Sequence, residues 1–202
     1  MNKRLRIPDL GGARAMILHR PHATVEALTR QLRAIGLATS DHWPELPAAA
    51  LGADYVFFDT DMGHDGQFPW KPGEAPMPMI ALIGSEAPGR IEWALRQGAD
   101  AQLLKPVGDN GVFSALLIAR QAFESRRASG DEIAGLRQRL AERQTIVRAV
   151  TLLAARGKTE EEAFAQLRQL AMAWRETIEQ AAARVVARHA TEGGRDDRRE
   201  LP

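Results

Sequence analysis

The chain predicts a doubly wound α/β domain followed by an all-α C-terminal region, and three observations carry that expectation. Short apolar runs alternate with helix-periodic segments between residues 13 and 120. From Gly111 onward the periodicity is helical and does not revert. The apolar runs are continuous rather than alternating, as in a parallel sheet covered by helices on both faces.

Ala15-Met16-Ile17-Leu18 is the first strand, and His19-Arg20-Pro21-His22-Ala23-Thr24 the turn after it. Val25, Leu28, Leu32 and Ile35 share one helical face, and Gly36 stops that helix. Leu37 to Thr39 reads as a weak second strand. Tyr55-Val56-Phe57-Phe58 is a third, ending at Asp59, and Met79-Ile80-Ala81-Leu82-Ile83 a fourth. A helix over Ile91 to Gln97 leads to the fifth strand, Ala101-Gln102-Leu103-Leu104. Gly63 to Met77, rich in Gly and Pro, reads as a loop where such a fold would place another helix. His19 and His22 form the closest histidine pair and are expected in a surface loop rather than on a metal.

Val112, Leu116, Ala119 and Phe123 fit the domain's last helix, which Ser129-Gly130-Asp131 is expected to interrupt, with Asp131 capping a restart. Ile133, Leu136, Leu140, Arg143, Val147 and Val150 then recur at alternating steps of three and four. Ile133, Leu136, Leu140 and Val147 are therefore expected to form a short dimeric coiled coil, although a helix lying on its own domain shows the same spacing. Gly157 suits a helix C-cap, and Thr159 with Glu162 makes a capping box for the next helix. Ala163, Phe164, Leu167, Leu170, Ala171 and Trp174 form that helix's apolar stripe, with Phe164 and Trp174 expected in the core. A third helix carries Ile178, Ala182, Val185 and Val186. The expected division is an α/β domain over 1–120, a coiled-coil helix over 121–142, a three-helix domain over 143–190 and a disordered tail over 191–202.

Composition narrows the function. The 202 residues are 45% hydrophobic and contain no cysteine, so thiol chemistry is excluded and a cytoplasmic address is expected. The longest apolar runs are far too short to span a membrane, and the N-terminus lacks the apolar stretch of a signal peptide. The net charge of +1 divides into −2 over residues 1–119 and +3 over 120–202, nearly all the latter positives being Arg. Arg suits phosphate and base edges, yet so mild an excess is equally that of solvated helix faces. No catalytic constellation is apparent, and no enzyme activity, cofactor or metal is expected.

Two resemblances sharpen this reading. Asp54-Tyr55-Val56-Phe57-Phe58-Asp59, then Met62, Asp65-Gly66 and Lys105-Pro106, resemble the receiver domains of two-component response regulators, which are flavodoxin-like. In that family the aspartate ending the third strand accepts a phosphoryl group beside a divalent metal held by an acidic pair after the first strand. Here that pair is replaced by His19-Arg20, and the hydroxyl residue expected after the fourth strand by Ile83, with Ser85 further on. Asp59 and Lys105 are thus expected to be a vestigial phosphoacceptor pair in a pseudo-receiver. Either they hold two loops together, or Asp59 merely starts a turn with Asp61 and Gly63.

The second resemblance runs from Arg143-Gln144-Thr145-Ile146 through Arg156-Gly157-Lys158-Thr159-Glu160-Glu161-Glu162-Ala163-Phe164 to Leu167-Arg168 and Ala171-Met172. These residues resemble the ANTAR RNA-binding module of bacterial antiterminators. With Arg33-Ala34-Ile35-Gly36, Trp43-Pro44, Ile118-Ala119-Arg120 and Ala173-Trp174-Arg175-Glu176-Thr177-Ile178, the chain is similar over residues 13–188 to AmiR-type regulators. The resemblance implies a homodimer that binds leader mRNA hairpins and prevents a terminator from forming. It also implies control by a ligand-sensing, periplasmic-binding-protein-like negative regulator (AmiC-like). Arg148, Arg156, Lys158, Arg168 and Arg175 are the expected RNA contacts; the plain alternative for each is a solvated helix face. The chain departs from the family at Val150 and Ala154, where a Lys and a Met are usual. A phosphorylated response regulator, or an adaptor without RNA contact, stays open as an alternative.

Overall fold

The computed structural model describes residues 9–155 and 157–196. The chain runs β1 (Arg14–Leu18), α1 (Ala23–Ile35), β2 (Ala38–His42), β3 (Tyr55–Asp59), β4 (Met79–Ile83), α2 (Pro88–Arg96), β5 (Ala101–Leu104), α3 (Val112–Ala154), α4 (Glu160–Trp174) and α5 (Ile178–Asp196). It divides into two compact units, one ending at Ala128 and one beginning at Ser129.

In the first unit the five strands are all parallel, in the order β2-β1-β3-β4-β5. The order reverses between β1 and β3, so the strand ends there open a crevice in which Asp59 terminates β3. Successive side chains alternate between the faces and both faces are buried, which explains the unbroken apolar strands. Phe57, Ile80 and Leu82 join Leu28, Leu32 and Leu116 on one side. Phe58, Met79 and Ala81 join Trp93 on the other. The Gly63–Met77 segment has little helix, only a 3-10 turn over Asp65–Gln67. It covers its face with aromatic rings instead: Phe68 meets Phe58 edge-on at 5.6 Å and stacks on Trp70 at 5.7 Å. Such rings bury enough area to replace a helix as a lid on the sheet.

Two expectations need correction. Ser129-Gly130-Asp131 does not interrupt α3, which is continuous from Val112 to Ala154. Glycine costs a helix about 1 kcal/mol, less than the cost of nucleating a new one. The first unit runs to Ala128, and within it Arg126 forms an ion pair with Asp100. Asp100 is buried, which pushes its carboxyl above the ordinary value against the opposing hydrogen bond from the Met79 amide and the pull of Arg126. Helix α5 runs to Asp196. Residues 197–202 lie outside the described residues. Finally, Phe164 is 39% exposed, whereas the core of the second unit is built from Ala149, Leu153, Ala163, Leu167, Ala171, Ala181 and Ala182. Alanines fill most of that core, and small side chains let helices pack closely.

Candidate functional site

The crevice at the end of β3 is filled by the protein's own charges. The Lys105 ammonium lies 2.6 Å from Asp59 Oδ1 and 2.6 Å from Asp61 Oδ2. Asp59 is only 2% exposed, and its Oδ1 also accepts from the Asp61 amide at 3.1 Å, so it both pairs with Lys105 and starts a turn. Asp61 Oδ1 accepts from the Ser85 amide at 2.9 Å. Burial alone would raise the Asp61 carboxyl, but the bonds from Lys105 and Ser85 outweigh it and hold the group below its ordinary value. Gly84 permits this closeness, because a Cβ there would collide with the Asp61 carboxylate and crowd Lys105.

His19, expected in a surface loop, is buried in the same cluster. Its Nδ1 is 2.6 Å from the Arg20 carbonyl oxygen, a contact that requires the proton on Nδ1 and leaves Nε2 facing Lys105 at 3.4 Å. His22 instead caps α1, accepting from the Thr24 amide. The residues do not fit a divalent cation, since an ammonium bridges the two carboxylates and an imidazole stands where an acidic pair is needed. Among the described residues, no group of three His, Cys, Asp or Glu side chains is placed to hold a metal ion.

The second unit is organised by its caps. Gly157 takes φ +84° as α3 ends, a conformation that favours glycine, and the Gly157 and Lys158 amides both donate to the Ala154 carbonyl. The Thr159–Glu162 capping box forms reciprocally, at 3.2 and 2.9 Å. Thr177 and Gln180 make a second reciprocal box at the start of α5. Arg148, Lys158, Arg168 and Arg175 are all exposed, and Arg156 lies outside the described residues. Arg168 sits over the Phe164 ring at 5.7 Å in a groove that also carries Glu160 and Glu161. Lys158 reaches away to Gln166 Oε1 at 2.8 Å, and Arg175 ends α4 in a left-handed conformation. On α3, Ile133, Leu136, Leu140 and Val147 are about half exposed or more, whereas Val150 turns into the module's core.

The family described as AmiR, N-terminal, matches residues 13–120, and the ANTAR domain matches residues 134–186. The chain belongs to the AmiR family. It is an AmiR-type ANTAR regulator with a receiver-like front half, and both families are regulatory rather than enzymatic. No curated protein matches. Among solved structures, the chemotaxis response regulator CheY4 of Vibrio cholerae is 15% identical, with 54% of this chain and 98% of that one covered and a TM-score of 0.42. Full-length FixJ from B. japonicum is 18% identical, covering 88% of this chain and 98% of its own, with a TM-score of 0.45. The fold assignment rests on the strand order itself and takes nothing from these neighbours.

Sequence reasoning about this AmiR-type chain did not single out Arg184 in the ANTAR unit. Arg184 lies over the Trp174 ring at 4.3 Å and pairs with Glu176 at 3.0 Å. Trp174 and Arg184 belong to different helices, so no periodicity could have linked them. Among the described residues no helix is long and apolar enough to cross a membrane.

Proposed function

We propose that this protein is a cytoplasmic transcription antitermination regulator that binds hairpin leader RNA as a homodimer. Its control comes from a ligand-sensing partner rather than from phosphorylation. The single observation that carries the regulatory half is the Lys105 ammonium held between Asp59 and Asp61 at 2.6 Å from each. A phosphoacceptor closed by a lysine and unfit for a metal has lost the charge compensation that phosphoryl transfer needs. The front half then serves as a docking platform, and a periplasmic-binding-protein-like sensor (AmiC-like) is the partner the family implies. The switch is mutual exclusion: the sensor holds the regulator in one ligand state and releases it in the other.

The RNA half rests on the ANTAR match over residues 134–186 and on the exposed Arg148, Lys158, Arg168 and Arg175, with Arg156 added from the sequence pattern. These cations are proposed to contact phosphates, which dominate nucleic-acid affinity. The half-exposed stripe of Ile133, Leu136, Leu140 and Val147 is proposed as the dimer seam, because four large aliphatic side chains on one face of a long helix call for a partner.

A gel shift of the full chain with a two-hairpin leader RNA tests the RNA reading. For about four phosphate contacts, affinity should fall roughly 100-fold between about 50 and about 200 mM salt. Sedimentation of Leu140→Glu tests the seam and should give a monomer where the parent chain is a dimer. Capture of the sensor with and without ligand tests the switch. Indifference to RNA at low salt overturns the first claim, and ligand-indifferent capture overturns the last.

A further inference from the structure

The ANTAR unit carries two concavities of opposite character. The larger, about 610 Å³, has an apolar floor that includes Val147 of the seam and Phe164, but its rim holds Glu160 and Glu161 against one guanidinium, Arg168. Two carboxylates at the rim repel phosphate. The smaller cleft, about 290 Å³, is walled by Gln166, Leu170, Trp174, Val185, Arg188 and His189 together with two leucines of α3, and has no carboxylate in its wall. Two further cations stand beside it. Lys158 donates to Gln166 Oε1 at 2.8 Å, and Arg184, neutralised by Glu176, covers one face of the Trp174 indole at 4.3 Å. Arg184 is not itself part of the cleft wall, whereas Trp174 is.

Size and chemistry together select an occupant. The cleft lies just below the ~300 Å³ at which sites for drug-sized molecules begin, and it cannot admit a helix about 10 Å across. Its lining combines aliphatic side chains, an indole and one side-chain amide, a set whose chemistry suits a planar heteroaromatic ring. The Gln166 carbonyl oxygen is already committed to Lys158, which leaves the amide nitrogen to donate. Single-stranded loops are recognised in this way, by splaying a base out of the stack onto an aromatic surface and reading its edge.

We propose that this cleft takes one unpaired base from the loop of an RNA hairpin. Trp174 and the aliphatic walls contact the ring, the Gln166 amide reads its edge, and Lys158 holds a flanking phosphate. The inference rests on the ANTAR unit binding hairpin RNA and adds where the loop, as distinct from the stem, is recognised.

The test uses the full chain and two RNAs, a leader hairpin and the same stem with abasic loop positions. Gln166→Ala and His189→Ala change side chains outside the buried core, and Trp174→Leu keeps bulk at the core edge while removing the indole face. Trp174→Leu should weaken binding to the intact hairpin by about 10-fold or more, as loss of a stacked base does. Gln166→Ala should weaken it as well, and each should change binding to the abasic RNA less than about 2-fold. The salt slope should stay the same for Gln166→Ala and Trp174→Leu, because no phosphate contact is removed. Native-like loop binding by Gln166→Ala and Trp174→Leu, with steep salt dependence retained, overturns the cleft and leaves the RNA-binding reading standing. Failure of the native chain to bind either RNA overturns that reading and the cleft with it. Variants that keep RNA affinity but lose the ligand-sensing partner assign the cleft to a protein contact and overturn the proposal.

Discussion

Lys105 neutralises two carboxylates, one of them almost wholly buried, and removing it leaves charge in a place water cannot reach. Lys105→Met should destabilise the first unit by about 3–5 kcal/mol, the range for breaking a buried pair from one side. Asp59→Asn in the same chain should restore much of that loss, which urea midpoints of the single and double variants will measure. Asp61 behaves differently with pH because its carboxyl is held below the ordinary 3.8. A depressed acid contributes stability that is fully present above its unfolded value and is lost as pH falls through its folded value. Acid titration of the fold should therefore show a contribution disappearing below about pH 4 that is absent in Asp61→Asn. At this scale the sequence was legible where partners adjoin and illegible where they do not. The Asp59–Asp61 turn uses neighbours within two residues. The burial of His19 depends on Lys105, 86 positions away, and no local pattern contains it.

At the scale of elements, α3 is a single helix despite two glycines in its exposed middle, with nothing within 4 Å of a Cβ placed at Gly130 or Gly135. Gly130→Ala should then stabilise the helix by about 1 kcal/mol. Thermal unfolding followed by circular dichroism checks this; a loss of helix or of stability would show that Gly130 terminates α3 after all. The break expected at Ser129-Gly130-Asp131 came from a local signal, whereas helix persistence is cooperative and depends on the turns on either side. Strands β1, β3, β4 and β5 were read to within one residue for the opposite reason, whereas the more polar β2, expected over Leu37 to Thr39, runs from Ala38 to His42. Each of β3 and β4 is buried on both faces, and that burial is written locally as five apolar or nearly apolar residues in a row, closed in β3 by Asp59. The Thr159–Glu162 box was legible in the same way, since both halves of a cap lie within one turn of helix. The cleft beside Trp174 was not, because its walls come from three helices and only their packing assembles it.

For the whole molecule, the closed crevice at the end of β3 supports the control proposed for the ANTAR unit, in which no phosphoryl signal takes part. Receiver chemistry needs an aspartate open to a phosphodonor, a divalent cation beside it and a lysine that engages the new phosphate. Here Asp59 is 2% exposed, Lys105 already engages it, and His19 stands where the metal's acidic ligands belong. Forming an acyl phosphate would require Lys105 to release both carboxylates with no metal to take over their charge, a cost of several kcal/mol before any chemistry. Incubating the full chain with a small acyl phosphate and Mg2+ should therefore leave its intact mass and its affinity for hairpin RNA unchanged. The ligand-sensing partner, added instead, should suppress RNA binding in one ligand state only. About 1–3 kcal/mol of coupling, or roughly 5- to 150-fold in apparent RNA affinity, is the span such a switch normally covers. A phosphoryl adduct mapped to Asp59 by peptide mass, with a matching change in RNA affinity, would return this chain to the phosphorylated regulators and remove the need for a sensor.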